Sequence, residues 1–440
     1  MLDIKFIRDN KEAVKANATN RGVNVDIDKL LSLDEQRRRI IVQVEALRAS
    51  QNKASEEIAK EKDPAARQAK IDEMKKVKEE LGGLEPDFKK IEEEYGKLLM
   101  AVPNIALPNV PIGKDENENV PMRQVGKLPE FDFKPKEHWE IGEELDIIDT
   151  KRAARVSGAR FSYLKGGLAL MEFALIQLVF SVVTDENILK KIIKSAKLNI
   201  EPKPFIPVIP PVLIKTEPFR RMARLEPREE RYYIPEDDLY LIGSAEHTLG
   251  ALHLDETFNE ADLPVRYIGF STAFRREAGS YAKDLKGILR VHQFDKAEME
   301  SFCLPEKSTE EQNLFVAIQE HLIQLLKIPY QVVMICTGDM GAPDARQIDI
   351  EAWLPGQNRY RETHTADLMT DYQSSSLNTK VKRQDGKTEF AHMNDATAFA
   401  IGRTLIAIME NYQQADGSIE IPKVLQPWMG GIKKIKNKKS

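Results

Sequence analysis

Residues 274–298 read FRREAGSYAKDLKGILRVHQFDKAE, a run in which charged and aromatic side chains recur at positions able to handle a nucleotide. It opens on Arg275-Arg276-Glu277 and turns through Ala278-Gly279-Ser280-Tyr281. An exposed polar tip at 282–286 follows, then a return through Arg290-Val291-His292-Gln293-Phe294 to Glu298. Alternation on both limbs predicts two antiparallel strands joined by a long loop. Such a hairpin can aim an arginine at a phosphate, stack an aromatic on a base and present a carboxylate to an amine. Arginine's planar fork matches phosphate oxygens and stays charged at any working pH. One arginine in a strand pair is ordinarily just solvated. Arg275, Glu277, Arg290 and Glu298 together make a cluster that points to chemistry.

Further candidates flank the hairpin. Ser244-Ala245-Glu246 follow a strand-like 238–243 and offer a hydroxyl and a carboxylate at a strand end, although a helix capping box has the same pattern. Glu298 needs a cationic partner if buried, and an ordinary surface pair with Lys296 is the plainer alternative. Phe294 alone reads equally as core. Residues 351–355 and 361–365 form the next strand pair, where Glu362 beside a triphosphate suits Mg2+. Residues 394–405 carry Arg403 on a helical stretch, nothing special by itself. The seven histidines show no zinc-ligand spacing, so no zinc is expected.

The elements that must position these groups fall into three parts: 1–102 helical, 103–135 a linker and 136–440 a mixed domain. Residues 1–26 read as a helical cap with turns at Asn20 and Gly22. In a first long helix Leu30, Leu33, Ile40, Val44, Leu47, Ala54 and Ile58 keep heptad spacing, with Arg37 and Gln51 interrupting. In a second, Met74, Val77, Leu81, Leu84, Phe88, Ile91, Tyr95 and Leu98 do the same, and Gly82, Gly83 and Pro86 should bend it. A heptad seam alone also makes a dimerisation coil, but the break at 61–64 favours a hairpin folded on itself, an arm of roughly 50 Å. Its outer faces are expected to carry Arg37, Arg38, Arg39, Arg48, Lys53, Lys75, Lys76 and Lys78. The linker holds six prolines. Beyond it, strand-like segments at 205–212, 239–243, 267–274, 288–294, 331–337 and 347–353 alternate with helical ones, which predicts a mainly antiparallel sheet in an α+β fold. No phosphate-cradling glycine loop is present.

Composition narrows the setting. The chain has 440 residues, 42% hydrophobic and 31% charged, with a net charge of −5, so RNA would have to be met by local basic patches. Two cysteines, Cys303 and Cys336, fit a reducing cytoplasm. The first twenty residues contain Asp3, Asp9 and Glu12 and are not a signal peptide. The apolar run 168–183 is short and contains Glu172 and Gln177, so a buried helix and no membrane partner are expected.

Taken whole, the hairpin resembles motif 2 of class II aminoacyl-tRNA synthetases in the form carried by seryl-tRNA synthetases. Phe274-Arg275-Arg276-Glu277, Ala278-Gly279-Ser280 and the return 290–294 carry that resemblance, which extends over nearly the whole chain to Trp428-Met429-Gly430-Gly431. It implies a class II antiparallel catalytic sheet flanked by helices, with an N-terminal antiparallel coiled-coil arm that grips the long variable arm of a tRNA. It implies a homodimer built through a motif 1 at 169–184 and Pro210-Pro211, with 185–205 as a surface excursion. The implied reaction activates L-serine with ATP, Mg2+ assisting, and transfers serine to tRNA(Ser), with tRNA(Sec) open as a second acceptor.

Residue by residue, the resemblance implies Arg275 and Arg403 as catalytic, with 394–405 as a motif 3 in which a small-residue turn leads into the helix of Arg403. It implies serine contacts from Ser244, Ala245, Glu246, Arg275, Glu298 and Thr397. ATP contacts would come from Arg275, Arg276, Glu277, Arg290, Phe294, Glu362, Thr363, His364, Thr365 and Arg403, with Mg2+ held by Glu362 through ATP. Here Ser244 replaces a threonine, His364 an ATP-site residue that is often serine, Ser375-Ser376 two arginines, and Asp395-Ala396 an asparagine-glycine of motif 3. Those departures leave two rivals in view: a paralogue that loads a carrier protein, which the coiled-coil arm opposes, and a non-catalytic RNA-binding descendant. The lysine-rich tail (Lys433, Lys434, Lys436, Lys438, Lys439) is read as disordered or as an electrostatic aid to RNA.

Overall fold

The computed structural model describes residues 1–278 and 286–436. The expected turn at Gly279, Ser280 and Tyr281, most of the hairpin tip, and Lys438 and Lys439 lie outside the described residues. The chain forms two compact units, Leu2–Pro103 and one beginning at Asn104.

In the first unit, two short helices, α1 (Ile4–Asp9) and α2 (Lys11–Asn20), precede α3 (Ile27–Lys60) and α4 (Pro64–Ala101). Local chemistry sets the boundaries. The Asp26 carboxylate accepts from the Lys29 amide at 2.9 Å and caps α3. Asp63 does the same for α4, accepting from Ala66 at 3.2 Å, with Pro64 at the first helical position. The α3 and α4 seams face one another, but Ile40, Val44, Leu47, Met74, Val77 and Leu84 stay half-buried, because two helices cannot enclose a seam. Arg37, expected on an outer face, belongs to the contact instead. It pairs with Glu92 across the seam, and its guanidinium lies 5.1 Å from the Tyr95 ring centroid. Arg38, Arg39 and Lys75 are neutralised within their own helices by Asp34, Glu35 and Asp72. Helix α4 runs through Gly82, Gly83 and Pro86 without a break in assignment.

The second unit is organised on an eight-stranded sheet: β1 (Val120–Val125), β2 (Ile206–Val208), β3 (Val265–Phe274), β4 (Gln293–Cys303), β5 (Tyr330–Met334), β6 (Arg346–Leu354), β7 (Arg359–Thr370) and β8 (His392–Ala400). Their order is β1-β5-β6-β7-β8-β4-β3-β2, antiparallel except where β2 runs parallel to β3. Four helices matter for the site: α5 (Gly167–Val183), α6 (Glu186–Ser195), α7 (Ser308–Leu325) and α8 (Ile401–Asn411). Helix α7 is tied to the sheet by buried glutamines. Gln312 donates to the carbonyls of Arg346 and Ala366, and Gln319 to those of Thr365 and Thr397.

Several expectations change. Residues 288–292 are not strand; the return strand begins at Gln293. The small-residue run at 392–400, read as a turn, is the strand β8, because Ala396 and Ala398 are fully buried between β7, β4 and the helices, where larger side chains would not fit. The 185–205 segment is more than a surface excursion: α6 buries Leu189, Ile192 and Ile193 in the main core. The proline-rich 103–135 segment also contributes β1, paired with β5 at the sheet edge, where proline is tolerated. Among the described residues no single helix is long and apolar enough to cross a membrane; α5 packs into the core.

Arg266, at the start of β3, is fully buried, with both nitrogens of its fork 2.8 Å from the Glu311 carboxylate and Nη1 on the carbonyls of Glu201 and Lys203. Removing one partner strands the other charge in the core. Glu311→Ala is expected to destabilise this unit by about 3–5 kcal/mol in denaturant unfolding, and Arg266→Met/Glu311→Leu by much less. Equal losses from the single and the double change would contradict this.

Candidate active site

The hairpin strands β3 and β4 pair with Phe274 opposite Gln293 and Gly269 opposite Glu298. On β4, Phe294, Lys296 and Glu298 project to one face by the period of two and line a cavity of about 200 Å3. Strands β7 and β8 supply Glu362, Thr363, Thr365, Asp367, Asp395 and Thr397, and α8 begins with Gly402 and Arg403 at its mouth. Glu246 arrives from the short helix Glu246–Leu249, which sits against β3 at Gly269, where a Cβ would come within 2.7 Å of Leu249 Cδ1.

One end of the cavity is a buried charge cluster. Ligand oxygens of Glu246, Glu298 and Asp395 lie within 4.8 Å of one another. Arg224 meets them: its Nε is 3.0 Å from Glu246 and its Nη2 3.3 Å from Asp395, with Asp344 and Asp367 each at 3.8 Å. Burial pushes Glu246 up, but Arg224, and after it His247, Lys296 and Arg275, together outweigh it and hold the carboxyl at about 2. Lys296 serves Glu298 in the same way, with Nζ 3.0 Å from Oε2, while Thr397 donates its hydroxyl to Oε1 at 3.1 Å. Burial still raises Glu298, despite Lys296. Burial and neighbouring carboxylates raise Glu300, Asp367 and Asp395 far more, and both Glu300 oxygens lack a partner among the described residues. A small cation entering this end would find carboxylates already fixed in place.

The other end is cationic. The Arg275 guanidinium donates from Nε to the Gly243 carbonyl at 3.1 Å and lies 5.3 Å from the Phe294 ring centroid. Arg290 pairs with Glu277 at 3.1 Å. Glu277 holds φ at +51°, a left-handed conformation costly for a non-glycine residue and common at working sites. Arg403 reaches Glu362 at 2.7 Å. Glu362 is half-exposed, and although burial pushes it up, Arg403 holds it below its ordinary value. Asp349 is raised by burial and then by the Glu362 charge. Two carboxylates that repel in this way are a donor set that a hard divalent cation would relieve, so the residues fit Mg2+.

Of the expected site residues, Glu246, Arg275, Glu277, Arg290, Phe294, Glu298, Glu362, Thr363, Thr365, Thr397 and Arg403 line this one cavity. Others do not. Arg276 turns to the Tyr232 ring, 5.5 Å from its centroid. Ala245 is buried in an apolar cluster with Met222 and Leu249. Ser244 lies behind Lys296, accepting from its Nζ at 3.3 Å. His364 is buried against Phe399 with Nδ1 2.8 Å from the Thr363 hydroxyl, and burial lowers it to about 3. Strand alternation sets His364 opposite Thr363 and Thr365, and a bulge at Ile350/Glu351 lets Glu362 share their face. Ser375 and Ser376 sit in the helix Tyr372–Leu377, away from the lining.

The sequence reading missed Arg224, and it missed Lys296 and Asp395 as parts of the cluster. Arg224 lies in the arginine-rich run 220–231, which looks like a solvated charge run. Arg231, from the same run, donates to the Arg224 carbonyl at 2.8 Å, and burial followed by Arg275 lowers it to about 10. The Glu298–Lys296 pair anticipated as a surface contact exists, but both partners are buried.

Known proteins resemble this chain over its full length. Residues 1–106 match the family described as seryl-tRNA synthetase N-terminal domain, and residues 230–412 the tRNA synthetase class II core domain (G, H, P, S and T). The chain is 41% identical to the serine–tRNA ligase of Thermodesulfovibrio yellowstonii, covering 98% of this chain and 99% of that one. It is 42% identical to that of Dictyoglomus thermophilum, with both chains fully covered. Among solved structures, seryl-tRNA synthetase from Pyrococcus horikoshii complexed with ATP aligns with a TM-score of 0.82 at 36% identity, covering 99% of this chain and all of that one. The cytoplasmic serine–tRNA ligase of Naegleria fowleri in complex with AMP aligns at 0.79 and 32% identity, covering 100% and 99%. A charged, carboxylate-rich cavity on an antiparallel class II sheet, and relatives alike from end to end, place this chain in the seryl-tRNA synthetase family of ligases.

Proposed function

We propose that this enzyme activates L-serine with ATP and transfers it to tRNA(Ser). The observation that carries the reading is the polarity of the cavity, with a carboxylate cluster gathered around Arg224 and Lys296 at one end and arginines, Arg275 lying over the Phe294 ring, at the other. The relatives crystallised with ATP and with AMP support a nucleotide at the arginine end. In the first step the serine carboxylate attacks the α-phosphorus, the bond to the bridging oxygen breaks and pyrophosphate leaves. In the second, a ribose hydroxyl of the terminal tRNA adenosine attacks the acyl carbon and AMP leaves.

Arg275 and Arg403 would neutralise charge that develops on the phosphoryl oxygens, work for which fixed donors in a water-poor cavity are well suited. Phe294 would stack on adenine, with Glu277 and Arg290 at the same end. Glu246, Glu298 and Thr397 would receive the ammonium and hydroxyl of serine. Ser244 would act through Lys296. Arg276, Ala245 and His364 would support the walls and not touch substrate. Glu362 and Asp349 would hold Mg2+, which supplies charge neutralisation to the triphosphate. A pocket built to hydrogen-bond a hydroxyl rejects alanine because its polar groups are then left unpaired.

A homodimer fits the exposed apolar surface on α5 and after β2, where Phe173 is 65% and Ile209 89% exposed. The cytoplasm, and tRNA(Sec) as a second acceptor, remain parts of the proposal to be tested by localisation and by charging.

Serine-dependent ATP–pyrophosphate exchange tests the activity, with exchange expected for serine and not for alanine or threonine. No exchange in a folded protein that binds tRNA would favour the RNA-binding rival. Arg275→Ala is expected to lower exchange by about 10²–10³-fold with unfolding unchanged, and full activity would remove its role. Because the folded Glu298 is raised, it loses its charge as pH falls through a value above the ordinary carboxylate range of about 4.3. The KM for serine should therefore rise on mild acidification, and a flat profile down to that range would contradict Glu298 as the ammonium partner. Phe173→Asp/Ile209→Asp should convert a dimer to a monomer in light scattering, and an unchanged mass would place the interface elsewhere.

A further inference from the structure

Three acids stand in one row across neighbouring strands of the main sheet. Glu300 of β4 is opposite Asp395 of β8, and Asp395 is opposite Asp367 of β7. Like charges placed directly opposite in a sheet repel. Glu298 lies two residues before Glu300 on the same face, opposite Thr397. The row therefore begins one step beyond the groups proposed to hold serine. Asp367 and Asp395 line the cavity, and all three acids are more than nine-tenths buried.

The row is short of cations. Arg224 Nη2 reaches Asp395 at 3.3 Å and Asp367 at 3.8 Å, while Glu300 forms no ion pair among the described residues. Both oxygens of Glu300 and Oδ1 of Asp367 also lack a hydrogen-bond partner among them. Burial, followed by the neighbouring carboxylates, pushes all three acids well above the ordinary carboxylate range. Acids so placed keep a proton or take a further cation. Serine brings one ammonium, which Glu246 and Glu298 are placed to receive, and its hydroxyl brings no charge to the row.

A ligand oxygen of Asp395 lies within 4.8 Å of those of Glu246 and Glu298. The two ammonium groups of a vicinal diamine are about 3–4 Å apart. One such molecule can set its first cation between Glu246 and Glu298 and its second against Asp395. An ammonium offers three donors and no acceptor, which suits a floor made of carboxylates. A divalent metal fits less well, because it needs about six oxygens and Arg224 and Lys296 already hold Glu246 and Glu298. Asp395 is also a point at which this chain departs from the family motif, which has a neutral asparagine there.

We propose that the amino-acid end also admits a short diamino acid, L-2,3-diaminopropionate, which is serine with an ammonium in place of the hydroxyl, its second cation seated on Asp395 and Asp367. This rests on the proposed activation of serine and extends it to a second substrate. The carboxylate attacks the α-phosphorus of ATP, the bond to the bridging oxygen breaks and pyrophosphate leaves, and neither ammonium takes part.

The test is pyrophosphate exchange by the full-length protein with L-serine and with L-2,3-diaminopropionate, in wild type, Asp367→Asn and Asp395→Asn. In wild type the kcat/KM for the diamino acid should lie within about tenfold of that for serine. An ammonium that loses a charged acceptor binds more weakly, so in each variant the ratio of diamino acid to serine should fall at least about tenfold, chiefly through KM. Exchange with serine in the same preparation shows that a variant is folded. A diamino acid poorer than serine by more than the stated margin in wild type, or a ratio that falls by less than it in both variants, would overturn the proposal. Exchange with neither amino acid in a folded wild type would instead remove the activation reading on which it rests.

Discussion

A carboxylate taken out of water must meet a cation or give up its charge, and the second unit buries a block of them. Arg224 stands within 4 Å of Glu246, Asp344, Asp367 and Asp395. One guanidinium cannot satisfy four acids, and the consequence is a graded set. Glu246, which Arg224 Nε reaches at 3.0 Å, stays ionised, whereas Glu300, with no hydrogen-bond partner for either oxygen among the described residues, is driven toward the neutral form. Lys296 stands 3.0 Å from Glu298 but does not overcome its burial, which leaves Glu298 raised. The cavity thus holds fixed negative charge at one end with room for a further cation, the place proposed for the serine ammonium.

The sheet makes that gradient rigid. Gln319 of α7 donates to carbonyls on both β7 and β8, locking the strands that carry Thr365 and Thr397. Register shifts at Ala297/Glu298 and Ile350/Glu351 re-aim side chains so that Thr397 faces Glu298 and Glu362 shares the face of Thr363. The two ends of the site therefore share one frame, and a displacement of β8 would move the serine end and, through α8, Arg403 together.

Much of this was legible in the sequence because it rests on local patterns. Heptad spacing and the 61–64 break defined α3 and α4, and alternation defined the hairpin whose return carries Phe294 and Glu298. Three things were not legible. The strand β8 looks like a turn because its alanines are chosen by crowding in the middle of the sheet, not by strand propensity. Arg224 hides in a run of exposed-looking charges, and only tertiary packing brings it to Asp395, 171 residues away. The face that Glu362 shares with Thr363 depends on a bulge that the sequence does not mark. The departures at Ser375 and Ser376, worrying on the chain, fall outside the cavity.

The most direct test of the buried-charge frame is a double-mutant cycle on Arg224 and Asp395, read as the KM for serine in pyrophosphate exchange. Breaking a buried pair costs about 3–5 kcal/mol, so Arg224→Ala should raise the KM for serine by about 10²–10⁴-fold. The KM for ATP should change little, and Arg224→Ala/Asp395→Asn should recover part of the loss. If Arg224→Ala leaves the serine KM near wild type, or if the two changes simply add, the carboxylate cluster is held by something other than Arg224.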